Sequence, residues 1–184
     1  MIDLTKKALP NTVRVNGVCY SIYTDYRVWL RFVISFEKWR DEGFKGSLDI
    51  RYLFKNDLPV FRSVEDYKEI LEFAFPPSPV PHGKERGNQV LFYDVDGSYI
   101  YASFYQQYGI DLLKTDMHWH TFMALLNATK GTKLEEIMGY RAYTGEKKKD
   151  FDAEYRALRD AWTPVREESE EERLAEERFN DYFG

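Results

Sequence analysis

Between Thr24 and about Asp41 the chain carries a run that leaves few folding options. At helical spacing four of its polar residues, Arg27, Arg31, Lys38 and Glu42, fall four, seven and four residues apart, which makes one narrow stripe. Most of the remainder is bulky and apolar: Tyr26, Trp29, Leu30, Phe32, Val33, Phe36 and Trp39. Such a helix cannot face water over most of its circumference, so other elements must wrap around it. Thr24 or Asp25 offers a side-chain oxygen to its first N–H groups, and Gly43 ends it. It is the expected central core helix.

The preceding residues supply part of the cover. Val13 and Val15 alternate with Arg14, and Val18, Tyr20 and Ile22 alternate with Cys19 and Ser21. Asn16-Gly17 between them is the pair that a type I′ turn demands, so Thr12 to Tyr23 reads as a β-hairpin. A lone hairpin is marginal in water and has to lie against the central helix.

Downstream, helical patterns recur. Ser47 to Phe54 predicts a short helix with Leu48, Tyr52 and Leu53 inward. Ser63 to Asp66 resembles a capping box, and Val64, Tyr67, Leu71 and Phe75 make the apolar stripe behind it. Pro76, Pro77, Pro79 and Pro81 end that helix, and residues 76–89 are the expected mobile loop. After an extended lead-in or short strand at Val90–Tyr93, Asp94 or Asp96 caps a helix running to about Gln107, with Gly109 at its left-handed end. The next, from about Asp116 to Ala128, places Trp119, Phe122, Met123 and Leu126 on one face. Thr132 caps a helix that Gly139 ends. Phe151, Tyr155, Leu158 and Trp162 line a further amphipathic helix stopped by Thr163-Pro164. Ser169 and Glu172 form a capping box for a last, acidic one. The expected fold is mainly α: a small helical domain with an N-terminal β-hairpin packed on a central helix. It is a single domain over 1–163, followed by an acidic C-terminal helix over 164–184.

Composition narrows the function. Acidic residues outnumber basic ones, for a net charge of -5, and they crowd the C-terminus, which argues against a nucleic-acid binder. The lone cysteine, Cys19, permits no internal disulfide and suits a reducing compartment. No signal peptide or apolar run of membrane-spanning length is evident, so a soluble, intracellular protein without membrane contact is expected.

The densest stretch, Phe92 to Tyr143, invites chemical readings that fail one after another. Asp94-Val95-Asp96-Gly97 suggests a calcium loop, but the twelfth position, where a bidentate Glu is needed, is Tyr105. His118 and His120 sit about 200° apart on a helix and cannot share a metal. No phosphate loop, nucleophile elbow or cysteine motif occurs. No catalytic, cofactor-binding or metal-ligating residue is nominated, and no cofactor is expected. Tyr101, Tyr105 and Tyr108 share a helix face. Tyr140-Arg141 sets a guanidinium beside aromatics, as either an interface device or a buried structural ion pair.

Several phrases in this stretch resemble the Gp-fifteen family of tailed phages and prophages of Gram-positive bacteria. They are Tyr99-Ile100-Tyr101-Ala102-Ser103-Phe104, Tyr108-Gly109-Ile110-Asp111-Leu112, His118-Trp119 and Ile137-Met138-Gly139-Tyr140-Arg141. The N-terminal Leu9-Pro10-Asn11-Thr12-Val13, Val15-Asn16-Gly17, Thr24-Asp25-Tyr26-Arg27 and Trp29 are similar too. His120 departs from the family pattern, which often has Trp there, as does the proline-rich 76–88 segment. The resemblance implies a noncatalytic tail assembly chaperone, not an enzyme, working in the host bacterial cytoplasm. Its implied partners are the tape-measure protein and other tail assembly proteins, with a homo-oligomer allowed. The alternative is a structural virion component, a minor tail or head-completion protein. A nucleic-acid-binding or metal-dependent factor is disfavoured by charge and ligand count. Candidate partner-binding residues are Tyr101, Tyr105, Tyr108, Trp119, Tyr140 and Arg141, in a groove for a partner's apolar helix.

Overall fold

The central helix forms as its pattern requires. The structure, a computed structural model, describes residues 2–62, 64–76, 89–145 and 149–165. Helix α1 runs Tyr26–Asp41, and the Asp25 carboxylate accepts the Arg27 N–H at 2.9 Å as its cap. At the other end the Gly43 N–H bonds to the Arg40 carbonyl and the Phe44 N–H to that of Trp39. This is a Schellman closure, with Gly43 at φ 69° and the Trp39 and Phe44 rings 4.9 Å apart as its apolar contact. Tyr26, Trp29, Phe32 and Val33 are buried, and Arg31, Lys38, Arg40 and Asp41 are the exposed residues of the helix.

The hairpin is also as expected: β1 (Thr12–Val15) pairs antiparallel with β2 (Val18–Ser21), in a register that sets Val15 opposite Val18. Asn16 and Gly17 adopt φ 51° and 79°, the two positive values of a type I′ turn. Val13 from β1 joins the core cluster that contains Trp29. The 47–54 segment shrinks to a 3₁₀ turn, Arg51–Leu53, whose fully buried Leu53 accepts the Tyr23 N–H through its carbonyl.

Helix α2 (Lys68–Ala74), entered through a 3₁₀ turn at Val64–Tyr67, is rotated from the expected orientation. Its buried residues are Ile70, Phe73 and Ala74, whereas Leu71 is half-buried and Phe75 exposed. Both faces carry apolar side chains, and the larger partners decide between them. Phe73 packs 4.3 Å from the Trp29 ring, and the Ala74 carbonyl accepts Trp119 Nε1–H at 2.9 Å. The Arg14 N–H of β1 bonds to Glu69 on the same helix at 2.7 Å. Ser63 and most of the expected mobile loop, 77–88, lie outside the described residues.

Four more helices follow among the described residues: α3 (Gly97–Tyr108), α4 (Trp119–Asn127), α5 (Lys133–Arg141) and α6 (Lys149–Trp162). Residues 90–93 form no strand and enter α3 through a turn. Helix α4 begins at Trp119 rather than Asp116, because Asp25 and His118 pair as a β-bridge that holds the chain extended up to the cap. Thr132 caps α5 as expected, yet Gly139 is helical and does not end it. An aromatic column fills the centre: Tyr26 stacks on Phe122 at 4.8 Å, and Phe104 and Trp119 stack on Phe122 at 5.1 and 5.7 Å. Each such fully buried ring contributes about 2–3 kcal/mol. The acidic helix expected over 164–184 lies outside the described residues from 166 onward.

Candidate partner-binding surface

Arg141 and Asp96 resolve one question the sequence left open. Asp96 stands at the N-cap of α3, but its side chain makes no cap bond. Its carboxylate accepts from Arg141 Nη1 and Nη2 at 2.6 and 2.9 Å and from the Phe92 N–H at 2.9 Å. The two side chains are 0% and 2% exposed. The expectation of a capping Asp94 or Asp96 is therefore corrected: a buried bidentate pair outcompetes a local cap, because charge-assisted bonds strengthen out of water. Arg141 also donates Nη1–H to the Val90 carbonyl and Nε–H to that of Trp162. One guanidinium thus ties together the entry to α3, the end of α5 and the end of α6. It is placed as a structural clasp, away from any accessible face.

The tyrosines divide by depth. In α3 the inward face is Ile100, Ser103 and Phe104, which leaves Tyr105 59% exposed. Tyr101, half-buried, stacks on Tyr105 at 6.3 Å and donates its hydroxyl to Asp111 at 3.3 Å. Tyr108 is half-buried and spends its hydroxyl on the Leu125 carbonyl at 2.9 Å. Gly109 follows at φ 66°, where the helix ends and the chain turns back to bring Asp111 to Tyr101. There Leu113 is 79% exposed. Burial and then the neighbouring Asp111 charge raise the Tyr101 pKa. Burial pushes Asp111 up, but bonds from Lys114 and the Leu113 N–H outweigh it and hold the carboxyl below its usual range. An exposed aromatic pair, one ring of it hydrogen-bonded to a carboxylate, can receive an apolar side chain from another protein.

Trp119 is placed elsewhere, 0% exposed in the core with its indole N–H satisfied. Tyr140 is half-buried on α5 under Lys133 Nζ, 5.7 Å from its ring. The accessible members of the six are thus Tyr105 and, partially, Tyr101, Tyr108 and Tyr140.

The histidine geometry also departs from expectation. His118 sits in extended backbone as the cap of α4, so its ring meets that of His120 edge-on at 5.2 Å instead of pointing away. His118 Nδ1 accepts the His120 N–H at 3.0 Å, which leaves Nε2–H to donate to the Pro10 carbonyl at 2.9 Å. His120 Nε2–H donates to the Phe73 carbonyl at 3.0 Å, and its buried Nδ1 has no hydrogen-bond partner among the described residues. Burial holds both imidazoles below their usual range. Three ring nitrogens are committed to separate bonds, and no group of three metal-ligating residues occurs among the described residues.

Two concavities lay beyond sequence reasoning. One, about 460 Å³, is bounded by Phe36, Leu71 and Phe75 with Lys68 and Glu72 on its edge. The other, about 370 Å³, has Ile50, Phe54, Leu58, Phe61 and Tyr67 in its lining and Asp49 and Arg51 beside them. Arg51's hydrogen bonds hold Asp49 down at about 2. The one available signal was the second apolar face of α2. No helix among the described residues is long and apolar enough to cross a membrane.

The family comparison carries the same architecture further. A family model described as Bacteriophage Gp15 protein matches residues 5–163, from before the hairpin to the end of α6. No curated protein and no solved structure matches the chain. With so much of its length matched, including the clasp and the tyrosine face, the chain belongs to the bacteriophage Gp15 protein family.

Proposed function

We propose that this protein is a noncatalytic tail assembly chaperone of a siphophage or prophage of Gram-positive bacteria. In this reading it binds the tape-measure protein in the host cytoplasm until tail subunits replace it. Family membership supports the phage context. The observation that carries the binding role is the outer face of α3, where Tyr101 stacks on Tyr105 and Tyr105 stands 59% exposed. Apolar side chains held in place outside the core cost ordering that folding alone does not require, and a partner helix recovers it by covering them. The charged hydrogen bond from Tyr101 to Asp111 keeps the pair oriented beforehand, which lowers the entropy lost on binding.

Co-expression with the tape-measure protein is the test. The expected result is soluble tape-measure protein that co-purifies with this chain, and a Tyr101→Ala/Tyr105→Ala variant that folds but loses most of that co-purification. Insoluble tape-measure protein in the presence of the wild-type chain would sink the reading. Stoichiometric recovery of this chain from mature virions would point instead to a structural component.

A further inference from the structure

Helix α4 is capped by a residue that titrates. Its N-cap is His118, whose Nδ1 accepts the His120 N–H at 3.0 Å. The caps of α1 and α5 are a carboxylate, Asp25, and a hydroxyl, Thr132. An imidazole differs from both, because its ring nitrogen accepts a hydrogen bond only while unprotonated. The other nitrogen fixes which form caps. Nε2 lies 2.9 Å from the Pro10 carbonyl, which can only accept, so Nε2 carries the proton and Nδ1 the lone pair. A second proton has one place to go, Nδ1, where it meets the His120 N–H head-on. It also sets a positive charge at the end of a helix that already carries partial positive charge.

The ring is within reach of such a proton. His118 is half-buried, whereas the neighbouring His120 ring, 5.2 Å away, belongs to a residue 5% exposed. The charged groups of the surrounding elements are engaged elsewhere or face water. Asp25 and Asp116 bond to Arg27, Asp111 pairs with Lys114 and Asp3 with Lys6, while Lys7 is exposed. On α2, Glu72 pairs with Lys68 and Glu69 takes the Arg14 N–H of β1. No carboxylate among the described residues acts on either imidazole, so nothing there compensates an imidazolium, which burial already disfavours.

The same ring sits at a junction. Asp25 and His118 pair as a β-bridge, the Trp119 N–H bonds to the Thr24 carbonyl at 2.7 Å, and the Tyr26 N–H bonds to that of Met117 at 2.9 Å. The approach to β1, the start of α1 and the start of α4 therefore meet at one imidazole.

We propose that His118 is an acid-sensitive switch built into this junction. Neutral, it caps α4 and ties down Pro10. Protonated, it turns away from the His120 N–H and loosens the first turn of α4 ahead of the rest of the fold. The switch needs neither a partner nor the proposed chaperone role.

NMR of the full chain, labelled with 15N, is the test. At about pH 7.5 the His118 ring should carry its proton on Nε2. As His118 becomes protonated, the hydrogen-exchange protection of the His120 amide should fall about fivefold relative to that of Phe104 in α3, the loss expected of an N-cap. His118→Asn, which keeps a cap acceptor and does not titrate, should hold the ratio constant over the same pH range. The proposal is overturned if neutral His118 carries its proton on Nδ1, or if the ratio stays constant in the wild-type chain while His118 titrates. It is equally overturned if His118→Asn loses protection at the same pH as the wild type.

Discussion

Asp96→Ala removes both carboxylate oxygens from a guanidinium that is 2% exposed. Charge-assisted bonds of 2.6 and 2.9 Å disappear, and Arg141 keeps only the Val90 and Trp162 carbonyls. The Phe92 N–H loses its 2.9 Å acceptor as well. Stranding one member of a buried pair costs about 3–5 kcal/mol. In a chain of this length each kcal/mol moves Tm by about 2–4 °C, so the expected fall is roughly 6–20 °C. The double variant Asp96→Leu/Arg141→Met removes both charges at similar volume and should be clearly more stable than either single variant. Circular-dichroism melts and urea titrations of wild type, Asp96→Leu, Arg141→Met and the double variant complete the cycle, with Asp96→Ala measured beside them. The reasoning fails if Asp96→Ala stays within about 1 kcal/mol of wild type, or if the double variant loses the sum of the two singles.

Trp119→Ala, which empties a fully buried site and strands the Ala74 carbonyl, should cost about 3–5 kcal/mol in urea unfolding. Tyr105→Ala, on the exposed face of α3, should stay within about 0.5 kcal/mol in the same assay, so any loss of tape-measure co-purification reports binding. Stability should also depend on the buried His120 and the half-buried His118, whose folded-state pKa values lie below the unfolded 6.5. With the native state binding fewer protons, stability is fully present above about pH 6.5 and is lost as pH falls through the folded-state values. Melts between about pH 7.5 and 5.5 should show that slope, and His120→Gln, which keeps a donor for the Phe73 carbonyl without titrating, should flatten it. A pH-independent Tm would contradict this.

Where the causes are local, sequence and structure agree. The stripe on α1, the Asn16-Gly17 turn, the Asp25 and Thr132 caps and the reversal at Gly109 each depend on atoms within a few residues. Spacing along the chain therefore contains them. The candidate surface was only partly legible for the same reason. Tyr105 and Trp119 both sit on regular helical stripes, yet one is 59% exposed and the other 0%. A period says which residues share a face, not which face a neighbour covers. Leu71 and Phe75 were plausible inward residues of α2 until Trp29 and Trp119 claimed the side holding Phe73 and Ala74.

Asp96 makes the limit sharpest. Its position before a helix, with Gly97 following, specifies a cap by every local rule. A guanidinium 45 residues away offers two charged bonds out of water, and the carboxylate turns to it. The sequence by itself determined a mainly helical chain with a hairpin and one helix needing cover on nearly all sides. Only the tertiary structure decided which aromatics became core, which stayed exposed, and that Arg141 closes the interior. Burial and long-range pairing are energies between surfaces, and no spacing along the chain encodes which surfaces will meet.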